Sequence, residues 1–378
     1  MEKNNNRILL VSNIIWGFAF FRIGLIRSLV AQDYEVICVG EFDNFSSSSV
    51  KIIQEAGAKC IAVKLSRKGL NPFKELFFLF QLYKIFKTNR TGLVINYSIK
   101  PIVYCSMVAM LLRIPSFSVF PGLGQGFISN NFINKVLVRT YKFCLRFNSK
   151  VFLINKDDVN YFLEKRLVTQ DKIVYLPSEG INTIDFAPIT RKKSKDKIIF
   201  LLIARLFKEK GIHEFVEAAE FVKSKYQNVE FQILGFIDLE NKSAVRLEEL
   251  NQWESKGWIK YLGKTDNVKI FIAEASCIVL PSYYREGVPR SLLEAASMAK
   301  PIITSNHIGC KEVVDDMVTG YLCEPRNALD LIRKIEEFIH LPEEKKRTMG
   351  ELGRIKIIRE FDEKIVNGVY LTEIHKML

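Results

Sequence analysis

Short runs that are apolar throughout alternate with longer stretches in which apolar residues return every three or four positions. Arg7–Ser12 (RILLVS), Glu35–Gly40 (EVICVG), Cys60–Val63, Leu93–Asn96, Ser116–Phe120, Lys150–Ile154 and Lys172–Leu176 read as strands. Phe20–Gln32, Val50–Ala56 and Pro72–Lys87 read as helices between them. Strands apolar on both faces and separated by helices predict a parallel sheet covered on both sides. A polar stretch, Thr190–Lys197 (TRKKSKDK), reads as a linker, after which the pattern restarts. Strands are expected at Ile198–Ala204, Val229–Gly235, Ile259–Leu262, Cys277–Leu280 and Pro301–Thr304, with helices at Ile212–Lys225 and Arg290–Met298. The class is therefore α/β with two doubly wound units, whose ligands bind outside the carboxyl ends of the strands and in a cleft between units.

Composition narrows this picture. The chain has 378 residues, 48% hydrophobic and 26% charged, which excludes wholesale disorder and gives about two domains of ordinary size. Its net charge of +13 is unevenly placed: Lys51–Lys150 holds 16 Lys or Arg against Glu55 and Glu75, a block of +14. A membrane surface, a lipid phosphate and a nucleic acid are all anionic partners for such a field, and solvated surface lysines are the bland alternative. Seven cysteines form no C-x-x-C pair, and the four histidines, His213, His307, His340 and His375, lack metal-ligand spacing. No secretory signal or 18-residue apolar run is visible, the longest candidate, Pro101–Leu112, being cut by Arg113 and Pro115. A cytoplasmic protein, soluble or peripheral on the membrane, is expected.

Two stretches carry candidate chemistry. In Pro281–Ala296 (PSYYREGVPRSLLEAA) an apolar strand runs into a helix that starts near Arg290. That places Glu286 in the preceding loop and Glu294 about one turn inside. Helix-end amides around Val288–Leu292 suit phosphate, and flanking carboxylates suit sugar hydroxyls. In Ile203–Gly211 (IARLFKEKG), Arg205 ends a strand and Lys210 follows five residues on, two cations able to neutralise a diphosphate.

Together, Arg205, Lys210 and Glu286-x7-Glu294 resemble the motif of the retaining glycosyltransferases of family 4. Gly235 (FQILGFID), Gly263 (YLGKTDNV), GCKE at Gly309–Glu312 and Gly320–Tyr321–Leu322 add to the match. YSIKPIVY (Tyr97–Tyr104), FPGLGQGF (Phe120–Phe127) and NKDD (Asn155–Asp158) resemble members that act on lipid-linked sugars in bacterial surface polysaccharide assembly. The resemblance implies a GT-B architecture of two Rossmann-like domains, 1–187 for the acceptor and 188–352 for the nucleotide sugar. A last helix, 353–378, would cross back to the first domain, around a hinge near Pro188–Lys197. It implies a UDP-sugar as the donor substrate and no cofactor: no metal is expected, and no D-x-D tripeptide occurs. Arg205, Lys210 and Glu286 would be catalytic. Gly17, Gly235, Gly287, Val288, Pro289, Arg290, Ser291 and Glu294 would bind the donor. Retention would proceed by front-face attack. The sequence departs from the family in three places: one glycine, Gly17, stands in Asn13–Phe20 where two are usual, no histidine precedes His213, and Glu179 interrupts PSEGIN.

On the acceptor side, Lys135, Arg139, Lys142 and Arg146 fall on one helical face, with Phe127, Phe132, Tyr141, Phe143 and Phe147 interleaved. Asn71–Arg90 repeats the mixture, with Phe73, Phe77, Phe78 and Phe80 beside Lys74, Lys84 and Lys87. Basic helices with bulky apolar neighbours suit an anionic membrane, and aromatic core with solvated lysines is the alternative. Lys100, Gly122 and Gly124 are further candidates for contact with a lipid-linked saccharide. A basic nucleic-acid-binding protein is the rival reading, without a helix-turn-helix, zinc finger or RNA-binding signature to support it. A non-catalytic GT-B-like scaffold is another. The final segment, Gly350–Leu378, reads as one helix packed through Phe361, Ile365, Val369, Tyr370 and Leu371.

Overall fold

Every ladder between the strands named below is parallel, as the two-faced apolar runs require. The computed structural model describes residues 6–43, 46–65, 71–123, 132–189, 197–238, 241 and 243–378, with backbone only at 132–134. The chain divides into two units, Met1–Gly180 with Glu363–Leu378, and Ile181–Asp362. It passes from one to the other upstream of the boundary expected after Ala187. Seven of the linker residues, 190–196, lie outside the described residues.

In the first unit the strands β1 (Arg7–Ile14), β2 (Glu35–Glu41), β3 (Lys59–Ala62), β4 (Leu93–Tyr97), β5 (Ser116–Phe120), β6 (Lys150–Leu153) and β7 (Ile173–Tyr175) lie in the order 3-2-1-4-5-6-7. The order reverses between β1 and β4. Its helices are α1 (Trp16–Phe21), α2 (Ile23–Val30), α3 (Ser46–Glu55), α4 (Pro72–Thr88), α5 (Ile99–Leu112), α6 (Phe132–Leu145), α7 (Lys156–Glu164) and the terminal helix Glu363–His375. Phe18, Leu25, Ile26 and Tyr370 pack on one face of the sheet. Phe78, Leu82, Phe86 and Val108 cover the other. The sequence marks several helix starts. Asn71 accepts from the Phe73 amide at 3.1 Å, with Pro72 at the first position, and Asn155 accepts from the Asp158 amide at 2.7 Å. The NKDD motif is therefore the capped, acidic start of α7.

Three expectations need correction, and a fourth, the cut of Pro101–Leu112 at Arg113, holds. Asn13–Phe20 is not an open loop, because β1 runs to Ile14 and α1 begins at Trp16. The expected helix Phe20–Gln32 is the end of α1 and then α2, broken at Arg22. The apolar run Pro101–Leu112 is a helix, α5, ended by Arg113 in the left-handed region. The final segment is two helices. It breaks at Phe361–Asp362, where the Phe361 carbonyl accepts from the Ile181 amide at 3.0 Å and Asp362 takes the Thr183 hydroxyl. After the break the packed positions are Val366, Tyr370 and Ile374, spaced by four, and Ile365 is exposed.

Glu179, the residue that interrupts PSEGIN, has a structural partner. The buried Arg22 guanidinium donates to its carboxylate at 2.8 Å and lies 3.9 Å over the Tyr97 ring. Tyr370 of the terminal helix stacks on Phe152 at 4.8 Å. Removing one member of a buried ion pair leaves the other charge uncompensated.

The second unit carries β8 (Ile198–Ile203), β9 (Val229–Leu234), β10 (Lys260–Tyr261), β11 (Cys277–Leu280), β12 (Ile302–Ser305) and β13 (Gly320–Cys323), in the order 10-9-8-11-12-13. Its helices are α8 (Ile212–Lys225), α9 (Leu247–Ser255), α10 (Val268–Glu274), α11 (Arg290–Ser297), α12 (Ala328–His340) and α13 (Glu343–Glu360), and the terminal helix is α14. One core spans it, from Phe200, Phe215 and Phe231 to Phe338. The strand order reverses between β8 and β11, the position at which doubly wound sheets bind ligands.

Candidate functional site

The two motif stretches leave the carboxyl ends of the two strands that flank this reversal. After β8, Leu206 and Phe207 turn inward and Lys208–Lys210 form a single 3-10 turn. Gly211, at φ 76, then starts α8. After β11, residues 281–289 form a loop and Pro289 caps α11. Pro289 thus stands one residue before the helix.

The loops meet through backbone and side chain. The Tyr283 amide donates to the Glu209 carbonyl at 2.9 Å. Lys210, buried, donates to Oε1 of Glu286. The Ser282 hydroxyl reaches the same oxygen at 3.3 Å. The Lys210 ammonium lies 5.6 Å from the Phe207 ring centre and 5.7 Å from that of Tyr284, and the two rings meet edge to face at 5.3 Å. Both rings lie within cation–π reach of the ammonium. Arg205 is half exposed, with Nη1 3.7 Å from Oδ2 of Asp238. Arg205, Lys210 and Glu286 thus gather at one edge of the second sheet.

Gly309 fixes the backbone at Glu286. Its φ is 85, and a Cβ there would meet the Gly287 carbonyl oxygen, with the Glu286 carbonyl oxygen 2.9 Å away. Gly235 ends β9 so close to Ala204 that a Cβ would fall on the Ala204 carbonyl, 2.9 Å from its carbon. Both approaches admit glycine alone. At the start of α11 the Leu292 amide already donates to Pro289, at 3.1 Å, so it does not serve a ligand. The amides of Val288 and Ser291 have no acceptor among the described residues. Glu294 lies inside α11 and accepts from Arg290 Nε at 2.8 Å. Burial pushes its carboxyl above the usual range, against the pull of Arg290. Cys310, buried beside Glu286, Lys210 and Thr304, has its thiol pushed by burial up to about 12.

Other expected residues belong to the first unit. Gly17 lies in the first unit, inside α1, and a Cβ there would meet nothing within 4 Å, so no close approach requires a glycine. Lys100, expected at the acceptor, donates to Glu75 at 2.6 Å between α5 and α4. Beside it Ser98 is held at φ 72, ψ 157, a region nearly reserved for glycine. Gly122 is described, with φ 139. Gly124 and Phe127 lie outside the described residues, as does the Phe132 side chain. Lys135, Arg139, Lys142 and Arg146 are all exposed. Of the interleaved aromatics, Tyr141 and Phe78 are core, whereas Phe143 and Phe147 are exposed. On α4 the residues Phe73, Leu76, Phe77 and Phe80 form an exposed stripe, Phe73 being 84% exposed. Among the described residues no helix is long and apolar enough to cross a membrane. Sequence reasoning missed Asp238, Ser282 and the rings of Phe207 and Tyr284. The turn-like GFID and the doubled tyrosine were the only signals for them.

Residues 185–356 match the family model described as glycosyl transferases group 1. The match falls within the second unit and spans nearly all of it. The chain is 29% identical over 367 residues, 93% of each chain, to the N,N'-diacetylbacillosaminyl-diphospho-undecaprenol alpha-1,3-N-acetylgalactosaminyltransferase of Campylobacter jejuni. It is 24% identical over 315 residues to the UDP-Gal:alpha-D-GlcNAc-diphosphoundecaprenol alpha-1,3-galactosyltransferase of Escherichia coli, covering 79% of this chain and 74% of that one. Among solved structures it resembles a glycosyltransferase from Rickettsia africae, with a TM-score of 0.81 at 21% identity over 99% of both chains. Anabaena HepE in complex with UDP gives 0.80 at 15% identity, over 98% of this chain and 100% of that one. The chain has the GT-B fold, with two Rossmann-like domains.

Proposed function

We propose that this glycosyltransferase moves a sugar, of the N-acetylhexosamine class, from a UDP-sugar to a lipid-diphosphate-linked saccharide in bacterial surface polysaccharide synthesis. The observation that carries the reading is the group formed by Arg205, Lys210 and Glu286 at the strand-order reversal, beside the start of α11. The names of the two relatives support the acceptor class, and one of them names a UDP-sugar.

In this reading Arg205 and Lys210 stabilise the diphosphate as it departs. The bond from the anomeric carbon to the phosphate oxygen breaks, and its electron pair stays on the diphosphate. The acceptor hydroxyl oxygen bonds to the anomeric carbon on the same face, and its proton passes to the departing phosphate oxygen. Configuration is retained, with neither a protein base nor a metal. Preorganised charge opposite a developing anion is a large catalytic term. Glu286 holds the transferred sugar, Glu294 holds the ribose hydroxyls, and the Val288 and Ser291 amides hold phosphate oxygens. The exposed apolar stripe of α4 and the cations Lys135, Arg139, Lys142 and Arg146 seat the protein on an anionic membrane, where its acceptor resides.

The test is turnover of a UDP-sugar panel with a lipid-diphosphate saccharide acceptor, read by mass spectrometry, with the anomeric configuration read by NMR. Transfer with retained configuration, undiminished by a chelator, is expected. Activity with no UDP-sugar, an inverted product, or loss on chelation would each overturn the corresponding part.

A further inference from the structure

The two cations at the strand-order reversal are each already paired with an acid. Lys210 is held by Glu286, whose oxygen also takes the Ser282 hydroxyl at 3.3 Å. Arg205 faces Asp238 at 3.7 Å. The acids come from different loops, Glu286 after β11 and Asp238 after β9. Two acids set against two cations match a diphosphate in charge and in number.

We infer that Glu286 and Asp238 are placeholders, which hold the two cations until the diphosphate of the donor displaces them. The inference rests on the donor reading above for its ligand. Carboxylate and phosphate oxygens compete for the same donors, and an ammonium or guanidinium prefers the more highly charged anion. The geometry confines the exchange to side chains. Packing of Gly309 against the Glu286 and Gly287 carbonyls fixes the backbone, so only the Glu286 carboxylate is free to turn away. Displacement therefore delivers that carboxylate to the sugar hydroxyls only once a diphosphate has arrived. Until then Lys210, deep among Phe207 and Tyr284, keeps a counter-charge that its burial demands. Asp238 gains a role that no motif assigns: a positioning residue that presets Arg205 and sets the affinity for the diphosphate.

Calorimetric titration of UDP, inorganic pyrophosphate and uridine into the full chain tests the exchange. Asp238→Asn should tighten UDP about threefold, the scale of a part-exposed ion pair. Glu286→Gln should tighten it about tenfold, the scale of a charge-assisted hydrogen bond. Pyrophosphate should follow UDP, and uridine, which has no phosphate, should bind every variant alike. In turnover Asp238→Asn should lower the donor KM, whereas Glu286→Gln should lower kcat. Unchanged or weaker UDP binding by both variants, or equal tightening of uridine, would overturn the inference. Should Glu286→Gln fail to fold, Asp238→Asn decides alone. If the wild type ignores UDP, the donor reading fails by itself, and the pyrophosphate titrations then decide the exchange.

Discussion

Replacing Gly309 by alanine would test whether the Glu286 backbone must be held in place. The new Cβ would meet the Gly287 carbonyl oxygen and lie 2.8 Å from its carbon and 2.9 Å from the Glu286 carbonyl oxygen. All three atoms are backbone, so no rotamer relieves the overlap. Two costs add. A φ of 85 disfavours any L side chain by about 1–2 kcal/mol. Overpacking against a fixed neighbour costs about 1–3 kcal/mol more. The second is relieved only if residues 286–287 withdraw, by something near an ångström, and a misplacement of that size removes roughly 10²-fold of rate. The variant should therefore lose about 10²-fold in kcat/KM, and its Tm should fall by several degrees, at about 2–4 °C per kcal/mol for a domain of this size. Scanning fluorimetry and steady-state transfer read the two quantities. Gly17→Ala is the matched control, with open space around its Cβ and helical surroundings, so it should keep activity and gain up to about 1 kcal/mol. Wild-type turnover by Gly309→Ala, or comparable loss by Gly17→Ala, would refute the reasoning.

Arg205→Ala and Lys210→Ala should each lower kcat by at least ~10²-fold in steady-state assays, as expected of groups that stabilise a leaving anion. Glu294→Gln should weaken UDP in calorimetry without lowering Tm at neutral pH. Burial raises the native carboxyl, so the wild type is relatively most stable below the unfolded glutamate value, about 4.3, and loses that contribution as pH rises through the higher native one. The Tm advantage of the variant should accordingly grow from pH 4.5 to 7.5, and a shrinking advantage would contradict the burial argument. Phe73→Ser with Phe77→Ser should abolish flotation with anionic liposomes while leaving UDP binding intact, whereas flotation equal to wild type would remove α4 from the membrane. Glu179→Leu strands the buried Arg22 and should cost about 3–5 kcal/mol by urea unfolding.

The strands of both sheets were largely legible because buried parallel strands are apolar on both faces, a pattern that RILLVS and IIFLLI display without interruption. What escaped was irregular. The α1 stretch, WGFAFF, is mostly aromatic and short, so its period is unreadable, and the glycine in it suggested a loop. The helix α5 is apolar nearly all round, which hides its face. The site motif was legible as far as residue types and spacing reach, and Arg205, Lys210 and Glu286 do come together. Their partners were not. Asp238 faces Arg205 from a turn 33 positions away, and nothing in local periodicity links two loops that meet only because their strands are neighbours in the sheet. The partner of Lys100 was hidden for the same reason, Glu75 lying on another helix.

The first unit is not continuous in sequence. Val366, Tyr370 and Ile374 belong to the same core as Ile8, Leu10 and Phe152. During synthesis the residues up to Gly180 leave the ribosome long before Glu363 does, so this core stays open on one side while the entire second unit is made. The nascent chain must carry an uncovered apolar surface over that interval, and a premature stop after Asp362 would injure the amino-terminal half of the protein, the half farthest from the lesion.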